Sequence, residues 1–232
     1  MFHIGQSNRL QSGALLSKVC LIMTVFVTFP AHSQTTGEQS KSGVVSEAID
    51  HINSPSDTVN LLHTRLLEVM KNAESLGFEG RYSILNPVIT ENFDTQLIVR
   101  TILSRIWKTL DAQKKIDFIK LFNRLSVATY ASRFDSYNGE KFEELAQKKL
   151  NKKGRLIIET QFIRIDDDPV KFNYLMHQKD GKWYIISVIA DGINDLSQKR
   201  AEYAAVIKEK GFDGLVKDIE SNIYKLENGT EG

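Results

Sequence analysis

Apolar residues change their spacing twice along this chain, and the order of those changes constrains the fold more than any total does. From Val59 to Phe134 they recur every three or four positions, the repeat of a helix with a buried face. Between Arg155 and Ala190 they fall largely at every second position, as in a strand with one face covered. After Asp191-Gly192 the helical spacing returns. Helices, then a meander of strands, then helices predict one α+β domain with an antiparallel sheet.

Within the first helical block, Ser54-Pro55-Ser56-Asp57 is a helix start signal. Val59, Leu62, Leu66, Leu67 and Met70 form one stripe, which ends near Gly77. Gly80, Pro87 and the asparagines predict that 78–94 is short and broken. Leu97, Ile98, Ile102, Leu103, Ile106 and Trp107 mark a second helix from Thr95. A third is expected to start at Thr109 as N-cap, with Asp111 in its first turn. Its apolar residues, from Ile116 to Phe134, cover more than one side, so it should be packed on more than one side.

The strands are expected at 141–148, 155–165, 170–176 and 182–190. Asp166-Asp167-Asp168-Pro169 and Gln178-Lys179-Asp180-Gly181 supply the turns. The last helices are expected at 195–210 and 213–224, divided by Gly211.

The amino terminus reads as a different object. Arg9 and Lys18 are the only charges in residues 1–33. The uncharged run Val19 to Phe29 follows, then Pro30, then Ala31-His32-Ser33 with small residues at the −3 and −1 positions. These are the parts of a secretory signal, and the run is shorter than a membrane-spanning helix requires. Residues 34–54 are polar and are expected to form a flexible leader, which leaves 55–228 for the domain. Removing 1–33 takes away the single cysteine, Cys20, and turns the formal charge from +1 to −1. A thiol-free exported chain fits the periplasm, and a charge so near zero offers nothing toward nucleic acid.

Reactive motifs are missing. His51, His63 and His177 have no metal-ligand spacing, and no nucleophile elbow, dinucleotide fingerprint or phosphate loop occurs. The three aspartates at 166–168 fit a turn better than a calcium site, and no cofactor is expected. Lys148, Lys149, Lys152, Lys153 and Arg155 make a basic cluster, either a solvated loop or a docking patch for anionic lipid or an acidic partner.

Several ordered segments resemble the MlaC, or toluene-tolerance Ttg, family. They are Arg81-Tyr82-x-x-Leu85-x-Pro87, Phe93-Asp94, Trp107-x-x-Leu110, Gly181-Lys182-Trp183-x-Ile185-x-x-Val188-x-x-Asp191-Gly192-Ile193 and Gly211-Phe212-Asp213-Gly214-Leu215. Tyr130 to Phe142 and Arg200 to Val206 are similar to the hopanoid-associated HpnM branch. Ser187 stands where the family commonly has an acidic residue. The resemblance implies a twisted antiparallel sheet covered by helices, like an enlarged nuclear-transport-factor cone with an internal lipid cavity. It implies a periplasmic carrier that takes phospholipid or hopanoid between inner and outer membranes. Its partners would be an inner-membrane transporter complex of ABC/MCE or RND type and an outer-membrane protein.

On that reading the cavity is expected to be lined by Val99, Ile102, Leu103, Phe118, Phe122 and Leu125 from the helices. Ile158, Val170, Phe172, Tyr174, Ile186 and Val188 would line it from the strands, with Ile193 at the mouth. Two other readings stand beside it. A cone-fold isomerase or dehydratase would need an inward acid or base, for which Tyr174 and Asp191 are the candidates and no paired partner is evident. An interaction scaffold would need a filled core and a large exposed apolar patch.

Overall fold

Ser54 starts the first helix by a reciprocal cap. Its hydroxyl accepts from the Asp57 N–H at 3.1 Å, and the Asp57 carboxylate accepts from the Ser54 N–H at 3.1 Å. The computed structural model describes residues 54–229 apart from 153 and 166; the expected export signal and leader lie outside these residues. In chain order the elements are α1 (Pro55–Lys71), α2 (Ala73–Asn92), α3 (Thr95–Leu103), α4 (Arg105–Thr109) and α5 (Ala112–Arg133). There follow β1 (Lys141–Lys149), β2 (Arg155–Ile163), β3 (Val170–Lys179), β4 (Lys182–Ala190), β5 (Ile193–Asn194) and α6 (Asp195–Glu227).

Three helical expectations need correction. Residues 78–92 are helical and not broken: α2 bends at Gly77 and then runs through Gly80 and Pro87. Burial of Leu85, Val88 and Ile89 on one face outweighs the local helix breakers. The helix from Thr95 does not continue to Trp107, because Ser104 takes φ 52° and separates α3 from α4. Asp111, not Thr109, caps α5, accepting from the Lys114 N–H at 2.8 Å. The Thr109 hydroxyl instead donates to the Ile106 carbonyl.

Gly77 and Gly211 bend α2 and α6 in the same way, with φ 57° and 73° and ψ near 180°. That region is closed to residues with a Cβ, so both bends require glycine. Arg81 locks the first bend. Its Nε donates to the Ala131 carbonyl at 2.8 Å and its Nη1 to the Ala73 carbonyl at 3.0 Å. One guanidinium therefore ties the turn before Gly77 to the last turn of α5, where carbonyls lack helical donors.

The five strands lie in sequence order, all antiparallel. Asp180 and Gly181, with φ 52° and 81°, make the tight β3–β4 turn. Bulges at Glu144/Ala146 and Leu175/Met176 add local twist. Edge strand β1 is mostly exposed and carries Lys141, Glu143, Glu144, Lys148 and Lys149, charges that discourage pairing with another chain.

Side chains on the sheet divide by register. Leu156, Ile158, Thr160 and Phe162 pair with Met176, Tyr174, Phe172 and Val170 on one face. That face packs under α1, α2 and the end of α5, through Val59, Leu62, Leu66, Leu85, Ile89, Val127 and Ala131. A second cluster joins Leu175 and the bulged Ile186 to α3, α5 and α6. The long helix α5 serves both clusters, with Val127 and Ala131 in one and Phe118, Leu125 and Ala128 in the other. This is the two-sided packing its broad apolar surface predicts.

Candidate functional site

The face of the sheet under α1, α2 and α5 ends in aromatic side chains. Tyr130 and Phe134 are one turn apart at the end of α5 and stack with centroids 5.8 Å apart. Phe134 meets Phe142 and Phe162, and Phe172 meets both, at 6.2–6.5 Å. Phe93, at the end of α2, reaches the other side of Tyr130 at 6.2 Å. Phe93, Tyr130, Phe134, Phe142 and Phe172 all remain half-buried, although they pack against the core.

Burial pushes the Tyr130 hydroxyl pKa well above the ordinary tyrosine value, although the residue as a whole is half-buried. Burial likewise raises the carboxyl pKa of the half-buried Asp195. The hydrogen bonds it accepts from Ser187 Oγ at 2.8 Å and the Val188 and Leu196 N–H groups pull the other way. Ser187 thus has a polar role as donor to a buried carboxylate, and an acid in its place would meet like charge.

One row of paired residues crosses this face toward β5: Thr160 opposite Phe172, Phe172 opposite Ala190, and Ala190 opposite Ile193, with the Phe162–Val170 pair beyond it. Thr160 is buried, whereas Phe172, Ala190 and Ile193 are half-buried.

Deeper in the same face, His63 and Tyr174 form a hydrogen bond of 2.9 Å, and the His63 ring stacks on Phe142 at 3.9 Å. Tyr174 therefore has a paired partner, contrary to the sequence expectation, 111 positions away. Burial lowers the His63 pKa to about 3 and raises that of Tyr174, so both are neutral from pH 4 upward. Near neutrality both groups are uncharged and each is hydrogen-bonded to the other. Asp191 is exposed and not inward; its carboxylate accepts from the Lys171 N–H at 2.9 Å.

His63 makes stability depend on pH. Its folded pKa lies below the unfolded value of 6.5. As pH falls below 6.5 the unfolded chain takes up a proton that the folded chain refuses. Its contribution is complete above pH 6.5 and falls by about 1.4 kcal/mol per pH unit toward pH 3. Urea unfolding at pH 7 and 4.5 should show an acid loss about 2–3 kcal/mol smaller in the double variant His63→Phe/Tyr174→Phe than in the parent.

The sequence-named lining residues fall into two groups. Ile158, Val170, Phe172, Tyr174 and Val188 lie on the face just described, with Ile193 on its outer row. Val99, Ile102, Leu103, Phe118, Phe122, Leu125 and Ile186 belong to the second cluster, with Tyr203 and Leu215 of α6. Phe118 also floors a separate open groove of about 450 Å³ between α5 and α6, rimmed by Lys114, Lys120, Arg124, Asp213 and Glu220. Sequence reasoning missed His63, Phe93, Tyr130, Phe134, Phe142 and Phe162. The one local signal was the spacing of four between Tyr130 and Phe134; strand register decides the rest.

The motif segments hold the architecture in place. Asp94 caps α3 through the Leu97 N–H and pairs with His177 at 2.9 Å, while its own N–H donates to the Ile185 carbonyl. Residues 61–221 match the model of the MlaC protein family. The fold is shared with the phospholipid-binding protein from Ralstonia solanacearum, whose structure is a complex with a phospholipid. The two superpose with a TM-score of 0.64 at 14% identity, over 73% of this chain and 96% of that one.

Proposed function

Because the chain belongs to the MlaC family, we propose that it is a lipid carrier that shelters hydrocarbon between the sheet and the end of α5. The observation that carries this reading is the contiguous, half-buried aromatic wall of Phe93, Tyr130, Phe134, Phe142 and Phe172. Hydrocarbon in water costs about 0.8 kcal/mol per methylene, so a dry wall of this kind is sufficient to bind it. Carriage needs no reacting group, and the neutral His63–Tyr174 pair suits a binding protein better than an enzyme. The phospholipid bound by the Ralstonia protein supports the same ligand class here.

On this reading residues 1–33 export the chain to the periplasm, 34–54 form a leader and 55–228 carry the lipid. Among the described residues no helix is long and apolar enough to cross a membrane. Lipid moves between an inner-membrane transporter complex of ABC/MCE or RND type and the outer membrane. The residues Tyr130 to Phe142 and Arg200 to Val206 favour the HpnM branch, and hence hopanoid beside phospholipid as cargo. The proposed ligand-lining set is Phe93, Tyr130, Phe134, Phe142, Phe172 and Ile193, over a buried floor of Ile158, Val170, Tyr174 and Val188. Native mass spectrometry of the protein purified from its host should show a lipid adduct that organic solvent extracts. A bare protein mass, with nothing extracted, would overturn the carrier reading.

A further inference from the structure

Tyr130 is the residue of the aromatic wall that a hydrocarbon ligand does not explain. Its neighbours on that wall, Phe93, Phe134, Phe142 and Phe172, are all phenylalanine, which is what a purely apolar surface asks for. The Tyr130 ring is held between Phe93 at 6.2 Å and Phe134 at 5.8 Å, the latter nearly parallel. Among the described residues its hydroxyl makes no hydrogen bond, although the Asp195 carboxylate and the Tyr174 hydroxyl, the latter committed to His63 at 2.9 Å, lie near enough to act on it electrostatically. A phenol covered by hydrocarbon loses its hydrogen bonds to water and gains none, which disfavours a ligand without oxygen at that point.

Resting on the carrier reading, we infer that the ligand bears an oxygen on its buried part, opposite Tyr130, and that the Tyr130 hydroxyl recognises it. The chemistry is a hydrogen-bond acceptor or hydroxyl set within hydrocarbon. It can come from a hydroxyl on a ring or chain, or from the ester carbonyl of a glycerolipid. Either lets the phenol donate, while the flanking aromatic rings hold the adjoining methylenes. Tyr130 is then a specificity residue: it adds little to binding of a plain chain and selects the oxygenated one.

The test is displacement of a fluorescent fatty acid from the delipidated full chain by matched competitors. One arm compares 12-hydroxystearate with stearate. The other compares a diacyl phosphatidylglycerol with its diether analogue, which lacks the ester carbonyls. The parent should prefer the oxygenated member of at least one pair by about threefold to tenfold, the usual worth of one hydrogen bond. Tyr130→Phe, which removes only the hydroxyl, should bring that ratio to within twofold by weakening the oxygenated member alone. Whichever pair responds identifies the source of the oxygen. Ratios near one for both pairs in the parent, or equal weakening of both members in Tyr130→Phe, would overturn this inference and leave the carrier reading standing. Failure of every competitor to displace the probe would remove the carrier reading itself.

Discussion

Ala190→Trp is expected to strip the protein of its lipid while leaving it folded. Ala190 lies between Phe172 and Ile193 on the side of the sheet proposed to face lipid, and it is only half-buried. On that proposal an indole there takes up volume that the hydrocarbon would fill. Excluding even three methylenes from the wall costs about 2.4 kcal/mol, which is more than tenfold in affinity. Lipid recovered from the purified variant should fall by at least tenfold. Its melting temperature should stay within a few degrees of the parent, because the site is not close-packed. Leu145→Trp, on the exposed edge strand at 52% exposure, serves as the control and should keep its lipid. Full lipid content in the Ala190 variant would move the ligand to the other side of the sheet, beside Val99, Ile102 and Leu103.

The largest stability effect is expected at Arg81. Arg81 is 9% exposed and its side chain donates to two buried carbonyls, one just before the bend at Gly77 and one in the last turn of α5. Methionine keeps the packing of the stem and removes both donors. Hydrogen bonds from charged groups contribute about 1.5–3 kcal/mol each, and stranded carbonyls add their own penalty, so Arg81→Met should cost about 3–5 kcal/mol. Denaturant midpoints at neutral pH measure this directly. Arg81→Lys should recover little, since a single ammonium does not span two carbonyls as a planar fork does. A loss below 1 kcal/mol would mean that water takes over both carbonyls. The bend at Gly77 sets the direction of α2, so the Arg81 variant should also weaken the Phe93–Tyr130 contact that closes the aromatic wall.

Much of the scaffold was legible locally. The starts of the four long strands, the Asp180-Gly181 turn, the Ser54 cap and the divide at Gly211 follow from short-range chemistry: φ restriction, capping hydroxyls and alternation. The errors differ in kind. At 78–92 packing against distant elements overruled local preference, at Ser104 a positive φ ends α3 with no breaker in the sequence to signal it, and at α5 one capping residue stands two positions past the expected one. A glycine or proline in a helix costs a known small amount, and burying Leu85 and Ile89 exceeds it.

The candidate site was legible only in outline. Val170, Phe172, Tyr174 and Val188 could be chosen because alternation assigns strand residues to a face. Val99, Ile102 and Leu103 are equally apolar, and nothing in the sequence says that they pack with α6 and not with the aromatic wall. His63 carries no signal beyond being an isolated histidine on an apolar stripe; its bond to Tyr174 depends on α1 lying across the sheet.

By itself, then, the amino-acid order determined most of the segments that become helix or strand, which strand residues share a face, and that the chain carries no evident reactive motif. Those properties depend on neighbours within a few positions, where sterics and hydrogen bonding act without reference to the rest of the molecule. Only the tertiary structure decided which apolar faces meet and which leave a space between them. Packing is a match of shapes between elements far apart in sequence, and a half-buried Tyr130 or Phe172 differs from a core residue only by what stands opposite it.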